Sequence, residues 1–490
     1  MVIAILVAYF IIMILVGLYA SRTVKDSSDY FLGGKGAGSV LTAFRFASTF
    51  ESGSMMLGVP GLGYMAGYIT LNQGFLGPLG YFFSFRVFGQ RVKIACDHLQ
   101  SLTVPELLEK RYNSKWCKIL ASLAIVIGLG GSIVAQLKAM GEVFAILLDM
   151  PYISGVLVGA LVIAIYSIFG GYLGNAFTNV VQGILMVGGS IILFCATNMV
   201  FFNGHFTIIG FFPALNEYLY SLGPHMLHLT AGGAMPMSTL LAMLVVSLTV
   251  GLSLPQQTVA LFAMRDRHAA KMALIICAFF SFICYWSLVP SGMMANAIIP
   301  GIENADNVIP ILALTVLSPF LAGIFIAGLL SAIMSTAGNM FLVVAAALSR
   351  DIFSSLLPKT YEKRPVFYDR MATVIIIAIT LLIALNPPAV VFWIIVFSFT
   401  MIALTFVMPM LGLIFWKKST KQGAIAAMIV GAVFIPVWNL IGEPYVPALM
   451  VALVLAPLLF IVISLLTQKS RTDHQKIDAL FSEFAKIKAG

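Results

Sequence analysis

Apolar stretches long enough to cross a membrane are the feature that most constrains the fold of this chain. An α-helix needs about 20 apolar residues to span a bilayer. Of the 490 residues, 60% are hydrophobic and only 10% are charged, whereas soluble domains are about one-quarter charged. The first stretch, 2–20, is full length and ends in Ser21 and Arg22 without the small-residue cleavage site of a signal peptide. We therefore expect an all-α polytopic membrane protein.

Hydropathy predicts about 13 transmembrane helices, which form one membrane domain over 1–490. Their expected ranges are 2–20, 38–65, 68–89, 116–148, 152–170, 177–201, 237–257, 271–293, 309–347, 371–386, 389–415, 423–441 and 446–467. Several ranges exceed the roughly 25 residues of a straight span, so tilted or interrupted helices are expected. The tail 468–490 carries Leu480, Phe481 and Phe484 at helical spacing, which predicts a short amphipathic cytoplasmic helix.

The positions of the basic residues predict the orientation of these helices. Short loops rich in Lys and Arg stay on the cytoplasmic side of a membrane. With the N-terminus outside, every Lys and Arg except Arg45 and Lys138 falls in an inner loop or at an inner helix end. The net charge of +9 is therefore explained by topology rather than by a nucleic acid partner. We expect a multi-pass protein of the inner membrane, held in the lipid bilayer, with its C-terminus in the cytoplasm.

Two predicted helices break the rules for lipid-facing segments. Helix 38–65 contains a run of small hydroxylated residues between Arg45 and Glu51, and helix 237–257 contains small residues followed by Pro255. Irregular backbone at membrane depth is tolerated only where it is buried in protein or lines a cavity. The alternative reading is that the small residues merely allow helices to pack closely.

The positions of the two interrupted helices predict two halves of five helices each, at 38–201 and 237–415. Broken helices at corresponding positions are typical of inverted-repeat transporters, which bind their cargo near the middle of the membrane. In this arrangement 2–20 is a peripheral first helix, 423–467 supplies accessory helices, and 468–490 is the tail.

A third segment predicts ion chemistry. In helix 309–347 the hydroxyls of Ser335 and Thr336 lie close to the backbone carbonyl of Ala332. Carbonyls freed by the break at Ser48 and Glu51 would complete a set of five oxygens, and unwound backbone carbonyls bind sodium in transporters. The alternative is that both hydroxyls bond back to their own helix.

Motifs spread along nearly the whole chain carry a family resemblance. They are Asp29-Tyr30-Phe31-Leu32-Gly33-Gly34, Gly58-Val59-Pro60-Gly61, Leu102-Thr103-Val104-Pro105-Glu106, Phe169-Gly170-Gly171, and Ala322-Gly323-Ile324-Phe325 leading into Ser331-Ala332-Ile333-Met334-Ser335-Thr336. On these motifs the chain resembles the sodium:solute symporter family. Within it, the stretches 308–310, 317–324 and 386–388 with Trp393 are most similar to sodium/pantothenate symporters.

The resemblance implies a fold, an ion and its ligands. The fold is that of the leucine transporter, with inverted five-helix repeats, a peripheral N-terminal helix and extra C-terminal helices. The transported ion is sodium, which binds first in an alternating-access cycle. Its ligands, carried over position by position, are Ser48, Glu51, Ala332, Ser335 and Thr336.

The chain departs from the family pattern at two places. Many members carry an acidic residue where this chain has Asn179, so we expect one sodium ion rather than two. Relatives with an aspartate in the first broken helix have it at the position of Phe50, and Glu51 lies one residue further on.

Charged residues inside predicted helices are candidates for function by default. Lys138 and Glu142 are four residues apart and can pair on one helix face, with Gln136 nearby. Arg45 could bind a solute carboxylate through two hydrogen bonds, or its long side chain could extend to the inner membrane surface. The full set of expected solute-binding residues is Arg45, Phe50, Gln136, Lys138, Glu142, Gln256 and Trp393.

The sequence therefore predicts a secondary active transporter that carries a small organic solute into the cell with sodium. By resemblance the solute is pantothenate or a similar carboxylate, and the alternative is an amino acid such as proline or a monocarboxylate. A channel would need a continuous polar pore lining, and a sensor would need an output domain larger than the tail. No nucleophile and base, metal-type spacing or phosphate-binding loop is visible in the sequence, so we do not expect an enzyme.

Overall fold

The computed structural model describes residues 1–230, 237–386, 391–440, 448–468 and 474–486, and these residues are almost entirely helical. The α-helices, in chain order, are α1 Val2–Ala20, α2 Ser27–Leu32, α3 Ser39–Phe50, α4 Val59–Ala66, α5 Leu71–Phe82, α6 Gln90–His98, α7 Val104–Tyr112, α8 Lys115–Ala124, α9 Gly130–Leu148, α10 Tyr152–Phe201, α11 Phe211–Leu222, α12 Met237–Leu248, α13 Val250–Ser253, α14 Pro255–Ala263, α15 Arg267–Ile298, α16 Ala305–Val316, α17 Pro319–Ala346, α18 Ser354–Leu356, α19 Pro358–Tyr361, α20 Pro365–Leu385, α21 Val391–Phe415, α22 Lys421–Ile429, α23 Ile435–Leu440, α24 Ala448–Leu466 and α25 His474–Lys486.

Several α-helices are joined into longer ones by π-helical segments. These segments are Ser54–Gly58, Phe83–Gly89, Ile125–Leu129, Ala347–Phe353 and Val430–Phe434. In the described part of the chain, eight of the resulting helices are long and apolar enough to cross a membrane. One of them, Tyr152–Phe201, carries two predicted spans, because its backbone leaves helical geometry at Gly171, where φ is +54°. The remaining predicted spans correspond to the two interrupted helices, α3–α4 and α12–α14, to the continuous helix 67–98 and to α24.

Both predicted interruptions are confirmed by the backbone. At the end of α3, Glu51 has ψ of 66°, and regular α-helix resumes only at Val59 after the π-helical segment. Between α13 and α14, Leu254 is extended and Pro255 opens the next helix. Proline explains the second break, because it disfavours helical geometry in the residue before it and fits the first helical position.

The prediction of one helix over 309–347 is wrong. The short helix α16 ends at Val316, Leu317 is extended, and α17 begins at Pro319. The cause is again a proline, which ends the preceding helix and starts the next. The short helix α16 packs against α4 and the π-helical segment of the first interrupted helix.

The helix α17 lies at the centre of the fold. Nearly all its residues from Ala322 onward are buried, and it packs against α10, α9, α1 and α3. A helix that is apolar on all sides is suited to such a central position. In contrast, α1 buries one face, including Tyr9 and Met13, and exposes another, including Val7 and Ile11. Because α3 packs against α17, the interrupted helix α3–α4 lies directly against the central helix.

The predicted tail helix is confirmed over His474–Lys486. Leu480 and Phe484 are buried, and the Arg91 guanidinium lies over the rings of both Phe415 and Phe484. The tail helix therefore packs against α6 and the end of α21.

Candidate functional site

The break after α3 meets α17 through hydroxyl–carbonyl hydrogen bonds. The Ser335 hydroxyl donates to the carbonyl of Ser48 at 2.7 Å, and the Thr336 hydroxyl donates to the carbonyl of Thr49 at 3.1 Å. Both hydroxyls also lie near the carbonyl of Ala332, at 3.1 and 3.0 Å. Five uncharged oxygen atoms from two helices therefore converge on one buried point.

This oxygen set has the chemistry that sodium needs. Unwound backbone carbonyls coordinate sodium in transporters with broken helices, and each hydroxyl can turn its proton away and present a lone pair instead. Four predicted sodium ligands, Ser48, Ala332, Ser335 and Thr336, are brought together. The fifth oxygen of the set is the carbonyl of Thr49, which accepts from the Thr336 hydroxyl and which sequence reasoning missed. The carbonyl of Glu51 remains a predicted ligand.

The Glu51 side chain points away from the five oxygens of the proposed sodium site and towards two other helices. Its Oε1 accepts hydrogen bonds from the Tyr81 hydroxyl at 3.0 Å and the Ser281 hydroxyl at 2.7 Å, and the residue is 2% exposed. These partners lie on α5 and α15. Glu51 also lines a cavity of about 10 Å³ with Met55, Tyr285 and other apolar residues. Its carboxyl thus ties the first break to two neighbouring helices.

Arg45 is 1% exposed, so its side chain does not extend to the membrane surface. Its Nη1 donates to the Oδ1 of Asn339, and its guanidinium carbon lies 4.2 Å from the centre of the Tyr172 ring. Arg45 and Glu51 therefore do not pair, although they lie on one interrupted helix.

Lys138 and Glu142 form the predicted pair, with Nζ and Oε1 3.6 Å apart. Glu142 also lines a cavity of about 30 Å³ with Asp306 of α16 and with Gly53, Ser54 and Gly58 of the first break. This acid–base group lies at the side of the break that faces α16. These two cavities beside the break are of water size.

Several buried polar atoms on α9 and at the second break have no hydrogen-bond partner among the described residues. Gln136 and Gln256, both expected to bind solute, have buried Oε1 atoms without a hydrogen-bond partner among the described residues. The same holds for Ser132 on α9, Ser253 at the second break and Gln257 beside it. Unpaired buried polar atoms are costly. They are therefore the expected contacts of a polar solute.

The last two expected solute residues are less informative. Phe50 is half-buried and its ring centre lies 5.7 Å from that of Tyr81. Trp393 belongs to α21, but its side chain lies outside the described residues.

Sequence reasoning missed Asn339, Thr49 and Ser281 as contributors to this site. Asn339 lies one turn after Ser335, and its Nδ2 donates to the Thr49 hydroxyl at 2.6 Å and to the Ser335 carbonyl at 2.8 Å. The available signal was a polar residue at i+4 from a predicted ligand, on the same helix face. Ser281 carried no comparable signal, because its partner Glu51 is distant in sequence.

Comparison of the sequence with known protein families identifies the family of this chain. The sodium:solute symporter family matches residues 30–431, a range that includes both interrupted helices and the Ser335 region. The chain belongs to this family. The symporter is thus a multi-pass membrane protein that couples transport of a small solute to sodium.

Individual relatives of the symporter carry different solutes. It is 26% identical to the sodium/pantothenate symporter of Escherichia coli (strain K12), over 91% of this chain and 94% of that protein. It is 25% identical to the osmoregulated proline transporter OpuE of Bacillus subtilis (strain 168), over 98% of each. A solved structure of a Na⁺-coupled sialic acid symporter in a substrate-bound, outward-open state matches with a TM-score of 0.76 at 17% identity, covering 96% of this chain and 98% of that one. The structural match confirms the leucine-transporter fold.

Proposed function

We propose that this symporter carries a small carboxylate such as pantothenate into the cell with one sodium ion. The observation that carries the sodium part is the convergence of the Ser335 and Thr336 hydroxyls on carbonyls of the first break. In this proposal the ion binds among those oxygens and holds α3 against α17. Solute then binds beside the ion, between the two interrupted helices.

The proposed solute contacts are neutral. Gln136, Gln256 and Gln257 offer amide groups, and Ser132 and Ser253 offer hydroxyls. Such groups match the hydroxyls and amide of pantothenate, since each can donate to or accept from them. Lys138 supplies a positive charge on the α16 side of the break. Because it is paired with Glu142 there, the solute carboxylate would have to take the place of Glu142.

One sodium ion per cycle fits the site at Asn179. This residue is buried on α10, and neither polar atom of its amide has a hydrogen-bond partner among the described residues. An amide brings no negative charge to this position. The proposal therefore assigns no sodium ion to this position, because it lacks the acidic residue that many family members carry there.

Proline or another amino acid is the second candidate solute. The observation that favours it is the 25% identity to a proline transporter over 98% of each chain, close to the value for the pantothenate symporter. The two candidates differ chemically, because proline carries an ammonium group and pantothenate does not. A proline site would need acceptors for that group, which the glutamine oxygens could supply.

Transport would proceed by alternating movement of the two proposed halves, 38–201 and 237–415. Two backbone hydrogen bonds connect Ala37, the residue just before the first half, to the second half. Ala37 N donates to the Ala263 carbonyl at 3.0 Å, and Arg265 N donates to the Ala37 carbonyl at 2.8 Å. They join the start of the first interrupted helix to the end of the second. A coupled movement of both interrupted helices is the expected consequence.

The test is uptake by purified protein in proteoliposomes. Radiolabelled pantothenate and proline are offered separately, with an inward gradient of either sodium or choline. We expect sodium-dependent pantothenate uptake that excess unlabelled pantothenate blocks and excess proline does not. Equal uptake in sodium and choline would contradict sodium coupling, and sodium-dependent uptake of proline alone would replace pantothenate with the second candidate.

A further inference from the structure

Arg45 is a fully buried cation with an incomplete set of partners. One guanidinium nitrogen donates to Asn339 and the group stacks on Tyr172. Its Nε and Nη2 have no hydrogen-bond partner, and no carboxylate pairs with it, in the part of the chain that the structure describes. Buried charges are normally paired, because leaving water is costly. A lone positive charge retained at this depth therefore calls for a function.

The position of Arg45 relative to the sodium oxygens follows from the helix pairing. One helical turn back from Thr49 along α3 leads to Arg45, and one turn forward from Ser335 along α17 leads to Asn339. The two helices are in contact at both positions. The Ser335–Ser48 hydrogen bond joins them at the sodium oxygens, and the contact of Arg45 with Asn339 joins them one turn away. The guanidinium thus lies about one helical turn, roughly 5.4 Å, from the level of the sodium oxygens.

Asn339 connects the charge to the site without neutralising it. The amide accepts from Arg45 through Oδ1 and donates through Nδ2 to the Thr49 hydroxyl at 2.6 Å and the Ser335 carbonyl at 2.8 Å. Tyr172, the other neighbour, presents an aromatic ring face. The field of the guanidinium therefore reaches the five oxygens with little screening, because water and counter-ions are excluded from this interior.

We propose that the charge of Arg45 weakens the binding of sodium at the neighbouring oxygens and so speeds its release. This inference rests on the proposed sodium site and concerns the control of that site. Two positive charges separated by about one helical turn repel each other in a protein interior. An ion enclosed by five oxygens would otherwise leave slowly. Arg45 acts on the ion through space and is a positioning residue for it, not a ligand.

The experiment measures the dissociation constant of radioactive sodium on the purified protein, without solute and without transport. Arg45→Gln removes the charge and keeps a polar side chain, and we expect sodium to bind on the order of ten-fold more tightly and to dissociate more slowly. Asn339→Asp offers a second variant, which neutralises Arg45 in place and should also tighten binding. It keeps the inference testable if Arg45→Gln does not fold.

The matched control is Arg111→Gln. Arg111 is the other fully buried arginine of the described residues, 2% exposed, and it bonds to Ser419 far from the sodium oxygens. Its neutralisation should leave sodium affinity unchanged. Unchanged or weaker sodium binding in both Arg45→Gln and Asn339→Asp would overturn the inference, as would equal tightening in Arg111→Gln. Failure of the unmodified protein to bind sodium would instead overturn the proposed function, and with it this inference.

Discussion

The Ser335 hydroxyl donates a 2.7 Å hydrogen bond to the Ser48 carbonyl and thereby joins the central helix α17 to the first interrupted helix. If sodium binds here, the hydroxyl becomes a ligand and its loss weakens binding. We expect Ser335→Ala to raise the sodium concentration for half-maximal uptake on the order of ten-fold, which corresponds to about one hydrogen bond to a charged partner. The measurement is uptake against sodium concentration in proteoliposomes.

Ser331→Ala is the matched control for this change. Ser331 lies one turn earlier on α17, and its hydroxyl bonds to Tyr9 and to the Ala327 carbonyl. This variant should keep the sodium dependence of the unmodified protein. Similar sodium curves for both alanine variants would contradict a ligand role for Ser335.

The carboxyl of Glu51 is expected to act as a hydrogen-bond acceptor for Tyr81 and Ser281. Glu51→Gln keeps an acceptor oxygen, so stability and sodium half-activation should stay close to those of the unmodified protein. Glu51→Leu leaves both hydroxyls buried without this partner and should lower the free energy of unfolding by about 1–3 kcal/mol. Thermal unfolding of the purified variants measures the difference. A large loss of sodium activation in Glu51→Gln would show instead that the carboxylate charge acts on the ion.

The orientation drawn from the basic residues can be tested with single cysteines. Ser221, near the end of α11, and Lys418, between α21 and α22, are both exposed. The connections that contain them are predicted to face opposite sides of the membrane. We expect Ser221→Cys, but not Lys418→Cys, to react with a membrane-impermeant thiol reagent in intact cells. Cys96, Cys117, Cys277 and Cys284 are buried, and the partly exposed Cys195 is replaced by serine in both variants to keep the background low. Both variants should react after membrane disruption, and the reverse pattern in intact cells would invert the topology.

Glu106 should make stability depend on pH. Burial raises the pKa of its carboxyl, but Arg350, Lys110 and the Leu102 amide together lower the pKa by more, so it lies below its ordinary value. A carboxyl with a depressed pKa stabilises the folded state above its unfolded pKa, and this contribution is lost as the pH falls through the folded pKa.

We expect Glu106→Gln to lower the free energy of unfolding by about 2 kcal/mol at neutral pH. The difference from the unmodified protein should close below about pH 4. Melting temperatures across this pH range provide the measurement, and Glu303→Gln, at an exposed position, is the control. A difference that persists unchanged in acid would rule out the charge of Glu106 as its source.

Local sequence was sufficient for most of the helices and for both breaks. Apolar length predicts a span, and small polar residues or proline within one predict an interruption, because both effects act within a few residues. The pairing of Lys138 with Glu142 was predictable for the same reason, since residues four apart share a helix face. The division of 309–347 into α16 and α17 was available from Pro319 and was missed.

Tertiary structure alone decided which partners the buried polar groups have. Arg45 and Glu51 lie six positions apart, yet one meets Asn339 and the other meets Tyr81 and Ser281. The partners lie on α17, α5 and α15, so the rotation and register of these three helices relative to α3 select the contacts. Hydropathy and helical periodicity describe each helix by itself, whereas a hydrogen bond such as that from Ser335 to Ser48 depends on how two helices distant in sequence pack together.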